Sequence, residues 1–570
     1  VGRSITGGFT TPRAWLCGLV LALGAVAPLA PAVAQQGAAP AAAPAAATPA
    51  APAQAPEAKP FAILEYQVDG NTLLSTMDVE KAVMPHLGET RTIKDIEAAR
   101  AQLENTYHDR GYKTVLVSIP PQQVQDGVVK LHVTEAAVGK LHVSGSRYHS
   151  LDRIKEEVPQ LAEGTVPQFA DVQTELAEVN RSADMRVTPV LRASETPGKV
   201  DVELMVKDSL PVHATLETDN HYSANTAHWR VSGILEYDNL FQRNQSISLQ
   251  YQTAPSEPDD AKVASVSYVI PLPDNLVLAL YGVKSDSNVA AVGDLNVIGK
   301  GDIFGARLIA PLPTSSREFY HSFTGGFDWK DLKQNVQVKD PTTGDIQTVE
   351  SPATYPVFTL QYSATWLGAP FSGGARPATY SGRSSTTFDL ATSFTIRGLG
   401  TDEQEFADKR AGASDSFITL RPALTREQVL PHAWTLVGRI EGQLASGPLI
   451  NNEGFVAGGF DSVRGYTEAE RLGDNGIRGM LELRTPQLFM QRFSQLERSY
   501  FLAFVEGAHL RILEPLPEQI DEYSLASIGL GLRFKAHGFL LSVDGAHILR
   551  DGSVTLSGRN RGVVQFSYTY

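Results

Sequence analysis

From about residue 211 onward, apolar and polar residues alternate in strand after strand, and this leaves the chain few ways to fold. "SISLQYQT" sets Ile247, Leu249 and Tyr251 against Ser248, Gln250 and Gln252. "SIGLGLRF" sets Ile528, Leu530, Leu532 and Phe534 against Ser527, Gly529, Gly531 and Arg533. "VVQFSYTY" sets Val564, Phe566, Tyr568 and Tyr570 against Gln565, Ser567 and Thr569. A period of two puts each set on its own face of a strand, one face toward oil and one toward water. Sixteen such segments can be drawn, near 212–219, 228–236, 244–254, 261–270, 275–284, 299–309, 319–329, 355–366, 381–397, 414–424, 434–444, 477–487, 499–509, 524–534, 537–544 and 561–570. Their connections alternate between short ones such as "PLPDN" and "KAHG" and long ones such as 330–354, 398–413, 445–476 and 545–560. An even strand count, short turns on one side, long loops on the other and an aromatic last residue describe a bacterial outer-membrane barrel of sixteen antiparallel strands. A soluble all-β protein is the alternative.

The N-terminal residues agree with export. Arg3 and Arg13 precede the apolar run Ala14 to Leu23, and Ala32-Val33-Ala34 offers a small-residue cleavage site, so 1–34 reads as a secretory signal peptide rather than a membrane anchor. Residues 35–60 are rich in Ala and Pro, a composition that gives an extended linker. Beyond the leader no apolar stretch is long enough to span a bilayer as a helix, so a place in the membrane requires a closed barrel. Cys17 is the single cysteine and lies in the leader, which excludes a disulfide framework and a thiolate metal site. A formal net charge of −14 argues against nucleic acid as a partner.

Between linker and barrel lie two small α+β units. In 61–136, "AILEYQV" reads as a strand, 75–86 as a short helix capped by Ser75 and Asp78, and a second helix opens at Thr92. Ile93, Ile96, Ala99, Leu103 and Tyr107 form its apolar face. "TVLVSIP" and "GVVKLHVTE" follow as strands. Residues 137–208 repeat the order, with "VGKLHVSGS", helices near 150–157 and 168–182, then "MRVTPVLRA" and "KVDVELMVKD". Each unit has an open sheet edge that could accept a strand from a client chain.

Val463-Arg464-Gly465-Tyr466, inside the long connection 445–476, matches the VRGY/F signature of the Omp85 superfamily, and "RGYKTVLVSIPPQQVQDGVVKLHVTE" looks like the first POTRA domain of its two-partner secretion branch. From about 61 to 570 the chain therefore resembles the TpsB transporters of haemolysin/adhesin secretion-activation type. The resemblance implies POTRA 1 over 61–136, POTRA 2 over 137–208 and a barrel over 209–570. It also implies that the loop folds back into the barrel, with its arginine contacting an acid on an inward strand face. The matching strand is "FVEGA", where the family pattern is F-x-D-x-G; Phe504, Glu506 and Gly507 are the lumen partner residues, with Glu506 replacing an aspartate and Ala508 a glycine. By parity Leu502, Phe504 and Glu506 share a face, which suits a docking platform for the loop. The aromatic end, Phe566, Tyr568 and Tyr570, resembles the signal read by the barrel-assembly machinery. Some relatives carry a helix that plugs the pore; 35–60 is a poor candidate for one.

The function so implied is secretion of one unfolded partner exoprotein across the outer membrane, without ATP, with POTRA domains in the periplasm recognising the client. A monomer in contact with outer-membrane lipid and lipopolysaccharide is expected, with no cofactor and no metal. Alternatives are an assembly factor that inserts other barrels and a passive solute pore. No G-x-x-x-x-G-K-[ST], G-x-S-x-G or H-E-x-x-H is present, so nothing in the sequence suggests an enzyme. Asp259-Asp260 is expected to be a solvated acidic pair.

Overall fold

The computed structural model describes residues 60–570 apart from 288, 293–294, 299, 340–345, 371–381, 489–495 and 518. The signal peptide expected over 1–34, and the linker up to residue 59, lie outside the described residues. The rest divides into two units, one ending at Pro211 and one beginning at Val212.

The first unit holds two mixed modules. In the first, "AILEYQV" is broken at Leu64 into β1 (Phe61–Ile63) and β2 (Glu65–Asp69), followed by α1 (Thr76–Val83), β3 (Gly88–Arg91), α2 (Ile93–Asp109), β4 (Val115–Ser118) and β5 (Val128–Glu135). The pairing of β1, the start of that strand, with β3, which falls between the two helices read from sequence, was not legible because each strand is only a few residues long. The main sheet runs β2-β5-β4, with β2 parallel to β5. Thr92 and Asp95 form a reciprocal capping box that starts α2. Ile96, Ala99, Leu103 and Tyr107 pack inward as one stripe, whereas Ile93, at the first helical position, points to solvent. The second module orders β6 (Ala137–Ser144), α3 (Leu151–Glu156), α4 (Phe169–Val179), β7 (Met185–Ala193) and β8 (Lys199–Asp208) into a sheet β6-β8-β7. Each module closes its own apolar core, around Leu103, Leu131 and Val133 in the first and Leu161, Val202 and Leu204 in the second. Strands β2 and β4, and β6 and β7, are left as sheet edges.

The second unit is a closed barrel of sixteen antiparallel strands. They are β9 (Val212–Asp219), β10 (Arg230–Leu240), β11 (Gln245–Thr253), β12 (Ala261–Pro271), β13 (Val277–Ser287), β14 (Gly301–Pro311), β15 (Phe319–Lys339), β16 (Ile346–Pro370), β17 (Arg383–Phe394), β18 (Ile418–Val429), β19 (Thr435–Ala445), β20 (Asn475–Arg484), β21 (Leu496–Arg511), β22 (Glu522–Ala536), β23 (Phe539–Ile548) and β24 (Asn560–Thr569). Closure between β24 and β9 leaves no edge, as hydrocarbon demands. Leu249, Tyr251, Phe304, Leu308, Ile528, Leu530, Phe566 and Tyr568 stand on the outer wall, while Ser232, Ser285, Ser527, Ser542 and Gln565 are buried inside. The connection expected at 330–354 is instead ladder: β15 and β16 stay paired from Phe319↔Trp366 out to Lys339↔Ile346. The reading from sequence stopped at Phe327–Trp329 although Leu332, Val336 and Val338 still alternate with polar residues, and the backbone pairing continues with them. Asp260 accepts the Ala227 N–H at 2.6 Å and so fastens the loop 220–229, whereas Asp259 is solvated as expected and pairs with the nearby Lys262.

Candidate functional site

The connection 446–474 does not stay outside the barrel. It carries a short hairpin, Phe455–Ala457 against Arg471–Gly473, and Arg464 lies between its two arms. Arg464 is fully buried. Its backbone N–H donates to Glu506 Oε2 at 2.6 Å, its Nε donates to Glu506 Oε1 at 2.8 Å, and one Nη lies 2.7 Å from the same oxygen. Two further carboxylates converge on the guanidinium, Glu482 at 3.3 Å and Asp544 at 3.3 Å. Its flat face lies 3.6 Å over the Phe504 ring. A guanidinium suits this place because it presents donors in plane and a stacking face perpendicular to them.

A buried charge is tolerated only when matched. Three guanidinium groups answer the three acids: Arg533 grips Asp544 through both Nη atoms at 2.8 Å, and Arg484 Nε donates to Glu482 at 2.6 Å. The network is thus neutral by pairs, and Arg464 is the member supplied by the loop; the other five stand on wall strands β20, β21, β22 and β23.

The flanking residues explain why the motif has its order. Val463 is fully buried against Phe455, Ala508, Leu510 and Ile548. Gly465 has φ +98°, and a Cβ there would stand 2.9 Å from the Ala546 methyl, so the loop presses its backbone on the wall where a side chain would not fit. The Tyr466 hydroxyl accepts the Ala526 N–H at 3.2 Å and donates to the Arg550 carbonyl at 2.6 Å. On the wall side, a Cβ at Gly529 would collide with the Phe504 ring and one at Gly531 with the Asp544 carboxylate. These two glycines hollow the inner face of β22 to receive the platform.

The loop is pinned on the opposite arc as well. Glu453 accepts from Lys330 Nζ on β15 and from the Tyr355 hydroxyl on β16, both at 2.6 Å, and its carbonyl accepts from Gln443 on β19 at 3.2 Å. Strands β15 and β16 are the seventh and eighth of the barrel, and β20 to β23 the twelfth to fifteenth, so the loop crosses the lumen between its anchors. Glu470 forms a third anchor. It accepts the N–H groups of Val554 and Thr555 at 2.8 and 3.0 Å and the Thr555 hydroxyl at 2.9 Å. Burial pulls the Glu470 carboxyl upward, but the Thr467 hydroxyl and those N–H groups outweigh it and hold it at about 2.

Residues 198–308 and 369–534 match the family described as haemolysin secretion/activation protein ShlB/FhaC/HecB, and residues 61–136 match the ShlB-type POTRA domain. The chain belongs to the TpsB branch of the Omp85 superfamily. Among curated relatives of this TpsB protein, the outer membrane transporter CdiB of Dickeya dadantii is 23% identical over 461 residues, covering 79% of this chain and 76% of the relative. The heme/hemopexin transporter protein HuxB of Haemophilus influenzae is 21% identical over 486 residues, covering 82% and 80%. The fold is similar to that of CdiB from Escherichia coli, with a TM-score of 0.60 and 16% identity over 92% of this chain and 93% of that one. It is also similar to BamA from Haemophilus ducreyi without its first three POTRA domains, with a TM-score of 0.53 and 14% identity over 90% and 100%. The curated relatives are transporters rather than enzymes, and the TpsB chain is an outer-membrane barrel with periplasmic POTRA domains.

The other sequence-predicted residues fall as follows. Phe504 and Glu506 are inward and buried, whereas Gly507 alternates to the outer side of β21, between Gly479 and Ala526, and takes no part in the lumen contact. Phe566, Tyr568 and Tyr570 face outward, with Tyr568 and Phe539 rings 4.4 Å apart and Tyr570 bonded to Ala214 beyond the end of β24. Sequence reasoning missed Glu482, Asp544, Arg533, Arg484, Gly529 and Gly531. A signal existed: "LELR" and "SVDG" each put an acid among apolar neighbours in a strand, and in "SIGLGLRF" both glycines fall on the polar face with Arg533.

Proposed function

We propose that this TpsB protein exports a partner exoprotein in extended form through its barrel, and that loop 446–474 is the element that closes the lumen until the passenger arrives. The observation that carries this reading is the loop itself: it crosses the interior, and the ion network that holds it is complete only with the loop's own Arg464. A passenger in the same lumen needs the loop displaced, so docking has to be firm yet reversible. Hydrogen bonds and ion pairs fit that requirement better than a continuous apolar core, because water and a polar chain can replace them. No nucleotide-binding loop motif occurs in the sequence, and folding of the passenger outside the cell supplies the forward drive.

Client recognition is assigned to the POTRA edges. The edge strand β7 carries the exposed Leu191 and is the edge to which an extended segment would be added, whereas the free side of β4 is already taken by α2, where Glu104 accepts the Val117 N–H at 3.0 Å. The outward aromatics Phe566, Tyr568 and Tyr570 are assigned to recognition by the barrel-assembly machinery and to contact with lipid and lipopolysaccharide. A monomer is the assigned functional unit, a reading with which closure of the barrel within one chain is compatible. The test is secretion by Arg464→Ala in cells that make the partner. Loss of the partner from the medium with normal barrel insertion is the expected result; undiminished secretion removes Arg464 from the mechanism.

A further inference from the structure

A second ionic knot lies near the outer mouth, apart from the Arg464 network. Asp474, at the root of loop 446–474, is fully buried. Both its oxygens are engaged by the guanidinium of Arg410, which arrives from the connection between β17 and β18, one of the two bonds measuring 2.6 Å. The same oxygens accept the N–H groups of Leu449 at 2.8 Å and Leu513 at 2.6 Å. Arg410 in turn donates to the carbonyls of Leu449 at 2.6 Å and Leu513 at 3.0 Å. One residue pair thus ties together three extracellular connections: the one before β18, the crossing loop, and the one after β21.

The connection that carries Arg410 also carries a helix, α5 (Glu403–Lys409). Its Phe406 is buried in a cluster with Leu332, Tyr355, Val357, Leu449 and Ile450, residues from the upper walls of β15 and β16 and from the loop root. Arg410 follows the helix directly, so the knot and the apolar cap are one piece of chain.

We propose that Arg410 and Asp474 are gating residues: they latch α5 and the root of loop 446–474 across the extracellular mouth, and this latch opens separately from the Arg464 network deeper in the lumen. Bidentate geometry makes the pair strong when closed. Every bond is to a carboxylate, a guanidinium or a loop backbone group, so water can take over each of them when the mouth opens. The need for a gate rests on the export reading, but the gate is measurable without a passenger.

The test is single-channel conductance of the full-length protein in planar bilayers, comparing the parent with Arg410→Gln and Asp474→Asn. Losing one charged hydrogen bond shifts a closed–open balance by roughly tenfold, so each variant should be open roughly ten or more times as often as the parent, and Arg410→Lys should fall in between. Folding and insertion are scored by heat-modifiable migration on gels. A parent-like open fraction in an inserted variant overturns the latch. Failure of both variants to insert also overturns it, since the pair would then be a tie needed to build the barrel. Neither outcome alters the secretion result for Arg464→Ala, so the two readings fail separately.

Discussion

Replacing Arg464 by methionine removes the loop's single contribution to the six-membered ion network. Three carboxylates, Glu482, Glu506 and Asp544, would then face two guanidinium groups, Arg484 and Arg533. Glu482 and Asp544 keep partners of their own; Glu506 is the acid left stranded, because its ion contacts all come from Arg464. Removing one member of a buried, hydrogen-bonded pair costs about 3–5 kcal/mol, so the docked loop should lose between roughly one hundred- and several thousand-fold in population. The assay is maleimide labelling of Val463→Cys, a fully buried reporter. In a mature chain expected to lack cysteine, the labelling rate follows the undocked fraction. Arg464→Met should raise it by the factor above. Adding Glu506→Leu returns the network to two against two, and replacement of a buried pair by apolar groups is nearly neutral. The double variant should therefore recover most of the protection. An unchanged rate in Arg464→Met, or a double variant no better than the single, would refute the argument from charge balance.

Three further outcomes follow from the same geometry. Gly531→Ala places a methyl where the Asp544 carboxylate lies, so it should undock the loop and reduce secretion while the barrel still inserts, as judged by outer-membrane fractionation. Tyr568→Ala with deletion of Tyr570 should lower the amount of inserted protein without changing secretion per inserted molecule, as measured by quantitative blotting of both fractions. Glu470 has a carboxyl held at about 2 in the folded loop, against about 4.3 in an unfolded chain. Its contribution is thus present in full above the unfolded value and lost as pH falls toward 2. Protection of the Val463→Cys reporter against a pH-independent alkylating reagent should hold from neutral pH to about 5 and weaken below, and Glu470→Gln should lower the protection at neutral pH and make the fall below pH 5 shallower, the remainder coming from the other anchoring carboxylates.

How legible was all this in the sequence? The barrel was, because a strand with oil on one side and water on the other can be written only as alternation, and "SISLQYQT" and "VVQFSYTY" carry it plainly. The upper hairpin of β15 and β16 was not, because polar residues dilute the alternation there and Pro352 and Pro356 argue against a strand. Within the lumen site, Arg464 and Glu506 could be joined in advance through family resemblance and strand parity. Glu482 and Asp544 could not, since which strands lie side by side around the loop depends on register across the barrel, and no local pattern encodes that. The Arg410–Asp474 pair is more hidden still: two polar residues 64 positions apart, each in an irregular connection or at its edge, where neither periodicity nor a motif singles them out.

The central claim is that this barrel serves one partner protein. It is tested most directly by a quantitative protein inventory of culture medium, cell surface and outer membrane, with and without this gene. The account predicts the loss of one large exported protein and unchanged amounts of other barrels. A broad fall in outer-membrane barrels, or no change in any exported protein while the partner is being made, would contradict it.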